Sequence, residues 1–166
     1  MRPSHDEYFA SLAMLVSSRA SCARRKVGCV LVDEHNYILA TGYNGVARGQ
    51  PHCTDTPCAG ASAPSGQGLE LCEAIHAEAN ALLQCKDKEA IVKAYCTTAP
   101  CVHCVKLLMN TACKEVIFIQ DYPHSETSKR LWESSGRVWC QYSPHRLELA
   151  DTDLRYMTTA SVAWKG

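Results

Sequence analysis

His76-Ala77-Glu78, followed further along by Pro100-Cys101-Val102-His103-Cys104, brings together the residue types of a hydrolytic metal centre. One histidine and two cysteines suit zinc. Three protein ligands leave a fourth position for water, which marks a catalytic rather than a structural site. Zinc lowers the pKa of that water to roughly 7, so hydroxide is available at neutral pH. Glu78, two residues from His76, need not be a ligand and can take and pass on the proton.

These groups need elements that point them at one another. Cys101 and Cys104 are spaced i, i+3, so both thiolates leave one helix face. Pro100 suits the start of that helix, whose positive end favours thiolate. His76 is expected on a preceding helix over Ala74–Gln84. An isolated C-x-x-C would read as a structural half-site, with His76 and Glu78 as surface residues. Five matching positions at the starts of predicted helices favour the catalytic reading.

Around them, Phe9, Leu12, Ala13 and Val16 predict an amphipathic helix over residues 6–19. Val27–Val32 and Tyr37–Tyr43 predict a hairpin through the turn Asp33-Glu34-His35-Asn36. Gly42-Tyr43-Asn44-Gly45 closes the second strand with turn chemistry. Strands are expected at Tyr95–Thr98, Val116–Ile119 and Val138–Tyr142. Val105, Leu108, Met109 and Ala112 share a face of the Pro100 helix. Ser125 is expected to cap a helix that stops at Gly136. The segment from Pro144 onward is ambiguous. This alternation predicts a three-layer α/β/α fold in a single domain spanning 1–166. Residues 45–71 are rich in Gly, Pro, Ser and Ala and lack periodicity; so long a loop needs a reason, and a bound metal supplies one.

Composition narrows the functions. Zero formal net charge is a poor basis for gripping a long nucleic acid. Asp6 and Glu7 stand where a signal peptide would carry positive charge, and no apolar run is long enough to span a bilayer. A soluble, cytoplasmic protein without membrane partners is expected. An odd count of 11 cysteines then argues against a disulfide framework and for metal binding by those that cluster.

H-x-E followed by P-C-x-x-C is the zinc-deaminase signature. With His5-Asp6-Glu7-Tyr8-Phe9, Lys26-Val27-Gly28, Thr41 through Gly45, Cys72 through Glu78 and Asn80-Ala81, the chain resembles the cytidine deaminase superfamily. The Gly42-Tyr43-Asn44-Gly45 turn and the cysteine-bearing loop after it resemble its deoxycytidylate branch. The resemblance implies a five-stranded mixed sheet with helices on both faces. It also implies hydrolysis of dCMP to dUMP and ammonia, with dCTP and magnesium activating, dTTP inhibiting, and hexamers as the assembly. Asn44 would bind the sugar and Tyr122 would pack near the base. Ala77 and the backbone of Thr98 and Ala99 would also contact substrate. From the residues alone, Asn44 reads equally as a turn residue and Tyr122 as core.

Cys22, Cys53, Cys58 and Cys72 flank the long loop, and four thiolates suit a closed structural zinc, so two zinc ions per subunit are expected. Bacterial-type relatives resemble this cysteine pattern. The alternative is four unrelated buried thiols, which is the reading for Cys29, Cys85, Cys96, Cys113 and Cys140. Arg24, Arg25 and Lys26 form a basic run, ordinarily a solvated surface, that is expected here to hold the substrate phosphate. Lys26, where many bacterial relatives carry Gln, would extend acceptance to dCTP. Gly42, Tyr43 and Gly45 are carried to the effector site by resemblance. Two other readings are a deaminase of another base, such as tRNA adenosine, guanine or a pterin-like ring, and a nonenzymatic zinc scaffold. Neutral charge speaks against tRNA, and an intact Glu78 against a scaffold.

Overall fold

In a computed structural model of the protein, residues 2–64 and 67–143 are described. The first helix, α1 (His5–Ser17), is capped by Ser4, whose hydroxyl accepts the Glu7 amide at 3.1 Å. It is followed by the antiparallel pair β1 (Gly28–Val32) and β2 (Ile38–Tyr43). Next come β3 (Gly45–Val46), a 3-10 turn at Leu69–Leu71, β4 (Ala74–Ile75) and α2 (Ala77–Gln84). The rest alternates: β5 (Lys93–Thr98), α3 (Val102–Met109), β6 (Glu115–Gln120), α4 (Ser125–Glu133) and β7 (Val138–Gln141).

The main sheet runs β2-β1-β5-β6-β7, with β1 antiparallel to both neighbours and β5, β6 and β7 parallel. Alternation along the strands splits the core in two. Cys29, Leu31, Ala94, Cys96, Val116 and Phe118 meet α2, α3 and α4 on one face. Val30, Val32, Tyr95 and Ile117 meet Phe9 and Ala13 of α1 on the other. Consecutive parallel strands joined by right-handed crossovers put α3 and α4 on the same side. Burial on both faces leaves all of β1 buried, which explains its continuous apolar reading. Gly28 is required where α1 crosses β1, because a Cβ there would lie 2.1 Å from the Ala13 carbonyl oxygen. The expected five-stranded mixed sheet with helices on both faces is thus present.

Two helix starts differ from expectation. Ala74 and Ile75 are not helical but pair with Val46 and Gly45, and the helix begins at Ala77. An apolar run before a helix start cannot be told from its first turn when the partner strand is remote in sequence. Ser125 is inside α4 rather than capping it; its hydroxyl donates to Asp121 at 2.6 Å, and His124 holds the cap position. Within the long loop the only regular elements among the described residues are β3 and the 3-10 turn. Residues 144–166 lie outside the described residues, so the ambiguous segment stays untested.

Candidate active site and metal centre

The signature residues converge at the carboxyl ends of β5 and β6, where open α/β sheets place their ligands. His76 is the N-cap of α2 and Cys101 the N-cap of α3, both in extended backbone. Cys104 lies in the first turn of α3. Two helix N-termini therefore point at one spot, each with its positive end toward the thiolates. The ladder between β3 and β4 sets the approach of His76, and Asn80 reinforces it by donating to the Tyr43 carbonyl at 2.8 Å. α2 packs directly on β2 at Gly42, where a Cβ would lie 2.2 Å from the Ala77 carbonyl oxygen and 2.3 Å from the Ala81 nitrogen.

His76 Nδ1 lies 3.4 Å from Cys101 Sγ and 3.5 Å from Cys104 Sγ. Ligands on a tetrahedral zinc, at about 2.0–2.1 Å for nitrogen and 2.3 Å for sulfur, stand about 3.5 Å apart. The three donors lie within 4.8 Å of one another, and no other such group occurs among the described residues. The Cys104 thiol and His76 hold Cys101 down to about 3, with burial opposing them. Cys104 is pushed well up, first by Cys101 and then by burial. A divalent cation beside both sulfurs would favour ionisation of the pair. The residues fit zinc.

Glu78 is 4% exposed, and burial raises its carboxyl above the usual range. It lines a cavity of about 430 Å³ together with His76, Ala77, Thr98, Ala99, Cys101 and Tyr122. Asn44, Arg24 and Arg25 line it as well. Burial and then the Cys101 charge push the Tyr122 hydroxyl up, whereas Arg25 and Arg24, which line the same cavity, pull it down.

The neighbouring residues have other duties too. Asn44 Oδ1 accepts the Val27 amide and its Nδ2 donates to the Arg25 carbonyl, each at 2.8 Å. The side chain pins the basic segment and also lines the cavity. Lys26 is exposed and does not line the cavity. Gly42 and Gly45 are buried, Tyr43 is 37% exposed, and none of the three lines it. Sequence reasoning missed Val27, Ala61, Ala63 and Leu69, which supply apolar wall. Three of these come from the aperiodic loop, which carries no pattern that would single them out.

The loop cysteines are arranged less tightly. Cys53 and Cys58 sulfurs are 3.7 Å apart, near the roughly 3.8 Å of two thiolates on a tetrahedral zinc. Cys58 is lowered chiefly by the Glu73 amide, with Cys53 and the Gly60 amide adding to it. Burial raises Cys72, which the Ala74 amide counteracts and the nearby Cys22 and Cys58 reinforce. N–H groups aimed at sulfur are the outer-shell support that metal-bound thiolates use. Cys22 and Cys72 also line the cavity. Cys29 and Cys96 face each other across the β1–β5 ladder at 3.8 Å, fully within the core, as expected for filler.

Comparison with known proteins places this geometry. Residues 3–120 match the cytidine and deoxycytidylate deaminase zinc-binding region. The chain is 38% identical over 145 residues to a deoxycytidylate deaminase of Saccharomyces cerevisiae, covering 86% of this chain and 46% of that one. It therefore spans about half the length of that relative. A deoxycytidylate deaminase of Mycobacterium phage D29 is 38% identical over 124 residues, or 70% of this chain and 95% of the phage protein. Among solved structures, the dCMP deaminase of cyanophage S-TIM5 in complex with dCMP and dUMP superposes with a TM-score of 0.70 at 25% identity, covering 86% of this chain and 99% of that one.

Proposed function

The chain belongs to the cytidine and deoxycytidylate deaminase family, and on that premise we propose that it hydrolyses dCMP to dUMP and ammonia, feeding dTTP synthesis. The observation that carries this reading is the buried Glu78 beside a His76–Cys101–Cys104 set with zinc spacing in a nucleotide-sized cavity. Relatives named for dCMP deamination support the choice of substrate.

His76, Cys101 and Cys104 would hold the metal, which when bound supplies Lewis acidity that lets water ionise near neutral pH. Glu78 does the proton work. Its burial raises its proton affinity, which suits a carboxylate that takes a proton from water and delivers it to the ring nitrogen and the leaving amine. The floor made by Ala77, Thr98 and Ala99 reads the exocyclic amine through backbone groups. Tyr122 stacks by the base and Asn44 faces the sugar. We assign the phosphate to Arg25, whose fork suits an anionic oxygen pair.

Several finer points belong to the same reading. Cys22, Cys53, Cys58 and Cys72 bind a second, structural zinc, supported by the Cys53–Cys58 spacing and the N–H groups aimed at Cys58 and Cys72. Metal analysis of Cys53→Ser should then give one zinc per chain where the wild type gives two. dCTP with magnesium activates and dTTP inhibits, with the effector meeting the turn at Tyr43, which is exposed while Gly42 and Gly45 beside it are buried. The assembly is a hexamer, and Leu83 on α2, 76% exposed, is an apolar side chain such an assembly would cover. Lys26, exposed at the rim of the basic segment, accommodates the further phosphates of dCTP.

An ammonia-release screen over CMP, dCMP, dCTP, cytidine and deoxycytidine, with and without dTTP, tests the proposal. dCMP should be turned over fastest and dTTP should slow it. Preference for an unphosphorylated nucleoside would overturn the assignment. The ratio of dCTP to dCMP turnover should fall in Lys26→Gln; an unchanged ratio removes Lys26 from the site.

A further inference from the structure

We propose that Arg24 is a positioning residue that fixes the apolar wall of the reaction cavity, rather than a ligand of the substrate phosphate. The inference rests on the deaminase reading for its substrate, and on geometry for everything else. Ala61, Ala63 and Leu69 face the cavity from a stretch whose described residues form no strand or α-helix, so no ladder holds them there. Local turns, such as Ala63 N–H to the Gly60 carbonyl at 3.2 Å and Gln67 N–H to the Pro64 carbonyl at 3.0 Å, shape this stretch without attaching it to the domain.

Arg24 attaches it. Its Nη2 donates to the Pro64 carbonyl at 2.5 Å and to the Gln67 carbonyl at 3.1 Å, across about forty residues of chain. These two acceptors lie between Ala63 and Leu69 in the sequence. A charge-assisted donor shared by two carbonyls is a strong tie for an irregular segment. Arg24 itself is anchored because the next residue's carbonyl is held by Asn44 at 2.8 Å. Both N–H groups of Nη2 are taken by the two carbonyls, so only Nη1 and Nε are left to meet a phosphate. The wall position, and through it the width open to a pyrimidine, thus follows from Arg24.

The test uses the zinc-loaded full chain with Arg24→Gln and Arg24→Ala. Inhibition constants are measured for dUMP and for deoxyuridine, which differ only in the phosphate, and amide hydrogen exchange is followed at Ala63 and Gln67. A positioning role predicts that both inhibitors weaken alike, by about tenfold in the alanine variant and less in the glutamine variant, which keeps an N–H donor. It predicts faster exchange at both amides and a rise in KM for dCMP that exceeds any fall in kcat. A loss confined to dUMP with unchanged exchange would make Arg24 a phosphate ligand and overturn the proposal; so would no change in any readout. Should wild type fail to deaminate dCMP, the functional reading falls, but the exchange measurement still decides whether Arg24 holds the wall.

Discussion

At the scale of single residues, the site is a set of groups whose environments are matched to different tasks. Cys101, lowered by hydrogen bonds, and Cys104, raised beside it, need a cation to ionise together. Glu78 sits close by, and its desolvation keeps its proton affinity high. Asn44 is the residue where stability and function overlap most. Both ends of its amide are engaged with the backbone of the basic segment. Asn44→Ala would remove the hydrogen bonds to the Val27 amide and the Arg25 carbonyl, so urea denaturation should show a loss of about 1–3 kcal/mol. KM for dCMP should rise as Arg25 shifts. The zinc triad and Glu78 were legible at this scale because their spacing is short-range and chemically restrictive. The tie made by Arg24 was not, because its acceptors are two backbone carbonyls in an aperiodic loop, and main-chain acceptors carry no sequence mark.

At the scale of elements, the helices and strands act as mounts for those groups. α2 carries both His76 and Glu78, and it can sit on β2 only because Gly42 lacks a side chain. Gly42→Ala should force the helix outward, costing about 1–3 kcal/mol as overpacking and lowering turnover as well as the unfolding temperature. Trp132 on α4 is fully buried, and its Nε1 donates to the Val138 carbonyl at 2.8 Å, which fastens α4 to β7. Trp132→Ala should cost about 3–5 kcal/mol in chemical denaturation, with KM preserved in the fraction that stays folded. The period of the apolar residues revealed nearly all of these elements. It failed at Ala74 and Ile75, whose strand character depends on pairing with Val46 and Gly45 far back in the chain. Non-local pairing of two residues leaves no periodic signal.

At the scale of the whole molecule, the sheet divides labour between its two faces. One face, closed by α1, is stabilised by Phe9, Ala13, Val30 and Tyr95, and Tyr95 also donates to Asp6 at 2.7 Å. The other, closed by α2, α3 and α4, carries at its strand ends the cavity lined by His76, Glu78 and Cys101. No described helix is long and apolar enough to cross a membrane, and zero formal net charge leaves the local basic pair as the means of attracting an anion. Metal should be part of this architecture's stability. A ligand bound only by the folded state at a thousandfold excess over its dissociation constant contributes about 4 kcal/mol, so chelation should lower the thermal midpoint markedly and zinc should restore it. An unaltered midpoint after verified zinc loss would show that the triad and the cysteine loop fold without metal.

The central claim is that Glu78 moves the protons of a hydrolytic deamination while the metal site beside it is left intact. The most direct measurement is ammonia and dUMP formation from dCMP by wild type and Glu78→Gln, with zinc content determined on the same preparations. We expect one ammonia per dUMP from the wild type. The variant should lose activity by about 100- to 10,000-fold at unchanged zinc. A fully zinc-loaded Glu78→Gln protein that retains activity within about tenfold of wild type would contradict the account.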